Sequence, residues 1–551
     1  MNDDNIGTLR KLHPDVSYPP SAAAFRPKRT RKQRFRNTKE IIFSPDKIIK
    51  SILGLKRGKA AGLQVDSLDI FIRLALRCRS HNRKKKQAHP LANTLASFFT
   101  LVANADTPES VQAIFRVTYL VALDKDPEDL TKLRPLGIPS AIRRITANAI
   151  ANEVKTTFAK HLLPYNYAVG IHGGIDFIVS TLRLGVERYI KQQEELGLLP
   201  SRALVSLDIK NMFNAISRQR LRNIIRTSFP NLVPFIELIY GDIFFMFLCD
   251  ADGQWRIIPV QEGFSQGCPL SPILAAIVLQ EILVQLDKEL RERAKERRNK
   301  GDKGDDQLGG ITNILAFVDD TNGFVPIRDV LFFITRFKQL ATPRNAILNT
   351  EKTRILTSAT GTSAIPSIRA EYGDNIAQEI EQALALFSIQ VTKQEDGTIT
   401  RTPLEVTDGL RILGIPIGHQ EFCTQFIHNT LNAIVHDSTR ILTVVDDRQL
   451  ACRLFSQCTI MKIPHLLPCI PLIEANTSHE DQQWHEWSSP IAEAVNDIET
   501  WFLSSILNRP DIPDHSLALA QIPMGIGGLG ILHASSRIVP DFIIRFARAI
   551  Q

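Results

Sequence analysis

Two aspartates stand side by side at Asp319-Asp320, behind the apolar run Ile314-Leu315-Ala316-Phe317-Val318 and ahead of Gly323-Phe324-Val325. The pattern predicts a strand, a tight turn and a second strand. Two carboxylates at such a tip repel each other, and partial burial sharpens the conflict. A divalent cation relieves it, because hard cations take carboxylate oxygens. Taken alone, the pair also fits a solvated turn, where Asp is common. A third carboxylate shifts the balance. Arg202 to Asp208 reads as a buried-type strand ending in Asp208, with Lys210-Asn211 and the aromatic Phe213 just beyond. Three such carboxylates suit two-metal phosphoryl transfer to a hydroxyl, which needs cations, alignment and charge neutralisation more than covalent help. Asp208 and Asp319 would bridge the metals, with Asp320 adjusting the site. Lys352, in Asn349-Thr350-Glu351-Lys352-Thr353, is a candidate acid for the leaving pyrophosphate. Lys132 and Arg134 open Lys132-Leu133-Arg134-Pro135-Leu136-Gly137-Ile138-Pro139, where the prolines favour an extended path and Gly137 permits a bend. They are candidates to hold a triphosphate, for which Arg offers a planar fork.

These residues need elements to carry them. Ser44 is placed to cap a helix beginning at Pro45, with Ile48, Ile49 and Ile52 inward. A long helix is expected over about 142–161, then a glycine turn across Tyr167 to Gly174 and another helix. Trp255 to Val260 reads as a strand entering the segment Gln261 to Pro272, which holds Gln266-Gly267. A helix follows, with Leu279, Leu283, Leu286 and Leu290 on one face. Arg291 to Asp306 reads as a mixed-charge surface insertion. Beyond the central hairpin come a helix over Phe332 to Leu340, a short strand at Arg354 to Leu356, variable surface structure over 360–408 and a strand-turn-strand at Leu410 to Gly418. The remainder reads as helical, with Asp446 capping one helix and Ser489-Pro490 opening another, its inner face Ile491, Ala494, Val495, Ile498 and Phe502.

The chain of 551 residues is long enough for two or three subdomains with real cores. A net charge of +8 suits a polyanionic partner. Seven scattered cysteines form no framework and point to a reducing compartment. No run of eighteen apolar residues marks a membrane span, and Met1-Asn2-Asp3-Asp4 lacks the layout of a secretory signal. Arg26 to Arg36 carries seven basic residues, which suits a solvated tail, phosphate contact or nuclear targeting.

Several look-alike motifs fail on spacing. Gly54 to Gly62 suggests a phosphate loop, but three residues rather than four separate Gly54 from Gly58, and Ala60 replaces the needed hydroxyl. Cys452, Cys458, His465 and Cys469 do not have zinc-ligand spacing. Gly525, Gly527 and Gly530 leave no room for a dinucleotide-binding unit after them. Gly263-Phe264-Ser265-Gln266-Gly267 fits the nucleophile turn of a serine hydrolase, a rival that leaves Asp208, Asp319 and Asp320 unexplained.

In order, these pieces resemble a reverse transcriptase, of the type found in non-LTR retrotransposons and group II introns. The resemblance rests on Asp208 with Phe213, on Gln266-Gly267 before Pro269-Leu270-Ser271-Pro272, on Phe317 to Asp320, on Asn349, Lys352 and Thr353, and on Leu413, Gly414 and Gly418. Arg134 to Pro139 resembles the fingers motif before the palm. It covers roughly residues 50–420. It implies an α+β right-hand polymerase: a basic arm over 1–43, fingers over 44–200, a catalytic palm of antiparallel sheet plus helices over 201–420, and a helical thumb with C-terminal extension over 421–551. It implies two Mg²⁺ ions, with Mn²⁺ a substitute, and dNTPs, an RNA template and a DNA primer or RNA–DNA hybrid as partners, in the nucleus or cytoplasm and without a membrane. Gln266 and Gly267 would contact the incoming nucleotide or the template. Phe213 would crowd a 2′-hydroxyl and favour deoxynucleotides, where RNA-copying RNA polymerases usually carry a carboxylate. Two positions depart from the usual pattern: Phe317 stands where the hairpin aromatic is usually Tyr, and Cys268 where Asp is frequent. The alternative is a decayed or host-adapted nucleic-acid-binding protein on the same scaffold.

Overall fold

The computed structural model describes residues 39–55, 68–85, 89–124, 133–188, 202–241, 243–250, 252–300, 314–350, 352–356, 409–463, 466 and 490–522, with short further pieces over 366–403 and from 528 on. The chain forms two compact bodies, each assembled from stretches distant in sequence. The first holds residues 1–171, 207–321 and 332–349, and the second holds 172–206, 322–331 and 350–551.

The first body begins with helices α1 (Pro45–Leu53), α2 (Leu68–Lys85), α3 (Pro90–Ala103) and α4 (Glu109–Phe115). As the sequence predicts, Ser44 Oγ accepts from the Lys47 amide at 3.4 Å, Pro45 opens α1, and Ile48, Ile49 and Ile52 are buried. Strands β1 (Val117–Asp124), β2 (Leu133–Pro139), β5 (Phe244–Cys249) and β6 (Trp255–Val260) form a sheet in the order β2-β1-β5-β6, with β1 and β5 parallel and the other pairs antiparallel. The long helix α5 (Ala141–Leu162) follows β2, capped by Ser140. Two short strands of this body, β4 (Ile209–Lys210) and β9 (Ile347–Leu348), pair antiparallel through Ile209 and Leu348. Helices α7 (Met212–Ala215), α8 (Arg218–Ser228), α9 (Val233–Tyr240) and α11 (Val330–Ala341) complete the frame.

Helix α10 runs from Ser271 to Asn299 and corrects one expectation. From Arg291 to Asn299 the charged stretch is a continuation of this helix rather than an insertion, and residues 301–306 lie outside the described residues. Arg291 pairs with Asp287 at 2.7 Å and Lys288 lies 3.9 Å from Glu292, both one turn apart, and such pairs support a helix. Lys, Arg and Glu are also good helix formers, so dense mixed charge marks an exposed helix face here.

The second body contains α6 (Gly174–Val186), entered through Gly173 at φ +70°, and strand β3 (Arg202–Leu207). Strand β10 (Arg354–Leu356) pairs antiparallel with β3, Arg354 opposite Ser206 and Leu356 opposite Leu204. Two further hairpins are β11 (Ile389–Lys393) with β12 (Ile399–Pro403), and β13 (Gly409–Ile412) with β14 (Ile415–Gly418). The C-terminal part is helical: α12 (Gln420–Val444), α13 (Arg448–Leu454), α14 (Pro490–Leu507) and α15 (Asp514–Gln521). Phe455 stacks on Phe502 with ring centroids 3.9 Å apart. The cap of α13 is Asp447, which accepts from the Leu450 amide at 2.8 Å, one residue later than the sequence suggests.

The central hairpin is β7 (Ile314–Phe317), a two-residue turn Val318-Asp319, and β8 (Asp320–Pro326). Ile314, Leu315 and Ala316 are buried, which is why this apolar run forms a core strand. The division between the two bodies falls inside β8, after Thr321.

Candidate active site

Asp208, Asp319 and Asp320 all belong to the first body. Asp208 follows β3 directly, so its carboxylate sits where a buried strand surfaces. Two contacts fix it. The Asn349 amide donates to the Asp208 carbonyl at 2.8 Å, and Asn349 Nδ2 donates to Asp208 Oδ2 at 2.6 Å. The pairing of β4 with β9 brings these two segments together. Asn349 therefore orients a carboxylate, a role the sequence shows only as one letter of a short motif.

Asp319 is half-buried in the turn, and Asp320 opens β8 with one side in solvent. Burial pushes the Asp319 carboxyl above its usual range, and the charge of Asp208 adds to the rise. Asp320 is pushed up to about 6 by desolvation, then by the negative charges of Asp319 and Asp208. Asp320 is the more open of the pair, so solvent screening tempers the size of its rise. The three carboxylates thus sense one another, the condition a cation relieves. Among the described residues no group of three or more His, Cys, Asp or Glu side chains is placed to hold a metal ion by itself. Mg²⁺ is commonly bound by one or two carboxylates and keeps several waters, so it does not call for a larger protein cluster. Carboxylate oxygens are the donors that Mg²⁺ and Mn²⁺ prefer.

The turn is strained. Val318 has φ +58°, a left-handed conformation that a β-branched residue rarely adopts. Strain of this kind gathers at functional sites.

Gln266 and Gly267 lie partly exposed in the loop between β6 and α10. This loop packs on β2, the strand carrying Arg134. A Cβ on Gly267 would come within 2.0 Å of the Gly137 carbonyl oxygen, and one on Gly137 within 2.5 Å of Ser265 Oγ. Both glycines are therefore required by close approach. Ser265 is fully buried, and its hydroxyl donates to the Gly137 carbonyl at 3.0 Å. A buried, committed hydroxyl is no nucleophile, which disposes of the hydrolase alternative. Cys268 is buried as well.

Phe213 is half-buried on α7 and tied to the same loop, its carbonyl accepting from the Phe264 amide at 2.5 Å. Arg218, buried at the start of α8, donates to the carbonyls of Val260, Glu262 and Gly263 at 3.2, 3.2 and 2.8 Å. Its own amide donates to the Glu262 carboxylate at 2.7 Å. Sequence reading missed Arg218, since a basic residue at a helix start gives no local hint of burial. Arg134 is exposed on β2, opposite Leu123. Lys352 is exposed in the second body, just before β10. Lys132 lies outside the described residues, as do His465 and Cys469.

With this geometry in hand, the likenesses to known proteins are informative. The pattern of the reverse transcriptase (RNA-dependent DNA polymerase) family matches residues 123–417. That is more than half of the chain, and the chain belongs to this family. A stretch of 171 residues is 29% identical to the Retrovirus-related Pol polyprotein from type-1 retrotransposable element R2 of Popillia japonica, and covers 31% of this chain and 23% of that relative. The chain thus spans about a quarter of the curated relative it matches. Among solved structures it is similar to apo telomerase from Candida Tropicalis, at 12% identity over 84% of this chain and 67% of that one, with a TM-score of 0.37. It is also similar to telomerase from Candida albicans in complex with a TWJ fragment of telomeric RNA, at 10% identity over 80% of this chain and 65% of that one, with a TM-score of 0.32. Structural likeness this loose carries no weight on function. Reverse transcriptases use divalent metal ions. The expected α+β class holds, with helices and mainly antiparallel sheets in both bodies. No helix among the described residues is long and apolar enough to cross a membrane.

Proposed function

We propose that the chain is an RNA-directed DNA polymerase that transfers nucleotides from dNTPs to a primer 3′-hydroxyl. The observation that carries this reading is the mutual charge of Asp208, Asp319 and Asp320, with Asn349 orienting the first of them, in a chain of this family. Asp208 and Asp319 would hold two Mg²⁺ ions, or Mn²⁺ in their place, and Asp320 would support them. Held there, the cations would supply neutralisation of developing phosphate charge and activation of the attacking hydroxyl.

The other assignments rest on side-chain chemistry and on the motifs that carry the residues. Phe213 supplies an apolar plate that excludes a 2′-hydroxyl. Gln266 and Gly267, on a loop braced by Arg218 and by Gly137, contact the incoming nucleotide or the template. Arg134, with Lys132, holds the triphosphate. Lys352 protonates the leaving pyrophosphate. Fingers over 44–200, palm over 201–420 and thumb over 421–551 remain the proposed division. The nucleic-acid partners are an RNA template and a DNA primer or RNA–DNA hybrid, consistent with the net charge of +8. The basic run from Arg26 to Arg36 suits work in the nucleus.

The test is extension of a DNA primer on an RNA template with dNTPs or NTPs. The expected result is incorporation of dNTPs in preference to NTPs, with Phe213→Ala narrowing the preference. Preference for NTPs by the unaltered chain would make it an RNA polymerase. Duplex binding without incorporation under Mg²⁺ or Mn²⁺ would make it a binding scaffold.

A further inference from the structure

Asn166 is wholly buried and lies 152 residues before the metal-site turn, yet its side chain bonds to that turn twice. Its Nδ2 donates to the Val318 carbonyl at 3.0 Å, and its Oδ1 accepts from the Val318 amide at 3.3 Å. A side chain here pairs with both main-chain groups of one residue, as a neighbouring strand would. Oδ1 also accepts from the Ala168 amide at 3.2 Å, which fixes the orientation of the carboxamide.

The flanking backbone is held just as firmly. Ala316 donates to the Tyr165 carbonyl at 2.7 Å and accepts from the Tyr167 amide at 2.9 Å, so residues 165–167 lie along β7 as a short parallel partner. Tyr165 is anchored in turn, its hydroxyl donating to Asp287 Oδ2 on α10 at 2.8 Å. Asn166 therefore stands on a fixed platform, and what it grips is the one strained residue of the turn. A left-handed Val persists only where its surroundings over-determine it. If Val318 relaxed to negative φ, the next residue, Asp319, would be re-aimed.

We infer that Asn166 is a positioning residue for the metal-binding turn: its carboxamide holds Val318 left-handed and thereby aims the Asp319 carboxylate. The inference rests on the polymerase reading for its purpose. Its physical content is separable, because the grip on Val318 exists whatever the turn does.

The test is a double-mutant cycle of Asn166→Ala with Val318→Gly in the full chain, read in two ways. One readout is the single-turnover incorporation rate, and the other is Mn²⁺ affinity by electron paramagnetic resonance without nucleic acid. Asn166→Ala should slow incorporation by roughly 30- to 100-fold and weaken Mn²⁺ binding about tenfold, with primer–template affinity nearly unchanged. Glycine takes positive φ unaided, so in the Val318→Gly background the same substitution should cost less than about fivefold in rate. Equal costs in both backgrounds would overturn the inference, as would Mn²⁺ affinity that ignores Asn166→Ala, since Asn166 would then act only through general packing. If the unaltered chain incorporates nothing, the polymerase reading fails, while the Mn²⁺ cycle still decides the role of Asn166. Should Asn166→Ala fail to fold, Asn166→Ser, which leaves a small polar group in place of the carboxamide, enters the same cycle with the same expected direction.

Discussion

The hairpins β7–β8 and β13–β14 both close with two-residue turns, and they solve the same backbone problem in opposite ways. In the second, Leu413 has φ +51° and Gly414 φ +86°. Positive φ at both positions is the pattern whose twist matches paired strands, and Gly supplies half of it freely. Ile412 and Ile415 pair directly across the turn. In the first, only Val318 is left-handed, where a turn of that sign pattern ordinarily has Gly. No local residue relieves it, and Asn166 holds it from 152 positions away. One turn is specified by its own sequence. The other is specified by the tertiary structure, and it carries the like-charged carboxylates. Strain and charge repulsion are thus placed together where a ligand can be stabilised by relieving them.

The largest effect should come from the strained turn. Asp319→Asn should reduce incorporation by roughly 10³-fold in single-turnover assays while duplex binding persists. The same change removes a half-buried like charge, so the metal-free protein should melt about 2 °C higher by calorimetry. A fall in both activity and Tm would mean that Asp319 is structural.

Asn349→Ala should lower the incorporation rate by about 10- to 100-fold with little change in primer–template affinity, because it frees Asp208 without removing it. An unchanged rate would show that the β4–β9 pairing alone suffices to place Asp208.

The pH response separates the two hairpins further. The Asp320 carboxyl is raised, so the folded chain binds a proton more readily than the unfolded one between the ordinary carboxylate range and about 6. Its contribution to stability is therefore favourable below that window and is lost as pH rises through about 6. Added Mn²⁺ should then raise Tm at pH 7.5 and much less at pH 5, where protons compete for the carboxylates. An equal shift at both pH values would place the bound ion elsewhere.

The smallest effect belongs to the self-specified turn. Leu413→Asn should stabilise the fold by roughly 0.5 kcal/mol in denaturant melts, since Asn tolerates the left-handed region better than Leu. A loss of stability would show that the Leu413 side chain contributes packing that outweighs its backbone cost.

This contrast also explains what could be read from the sequence. The strand before Asp208, the β7–β8 hairpin, the extended path from Leu133 to Pro139 and the Gln266-Gly267 loop were legible, because apolar periodicity, prolines and paired carboxylates are local signals. Asn166, Asn349 and Arg218 were not legible as supports. Each acts on a partner between 42 and 152 residues away, and nothing in its own neighbourhood announces it. The length of α10 was misread for a related reason. Its last turns bury little, so the apolar pattern fades while the helix continues on charge pairs.

The most direct measurement is primer extension on poly(rA)–oligo(dT) with dTTP and Mg²⁺, the unaltered chain beside an Asp319→Asn, Asp320→Asn double variant. Extension by the unaltered chain alone is the expected result, and it would place the metals at the β7–β8 turn. Equal extension by both chains would move the catalytic centre away from these aspartates. No extension by either, with Mn²⁺ and other templates also silent while duplex binding persists, would leave a binding scaffold with relic carboxylates.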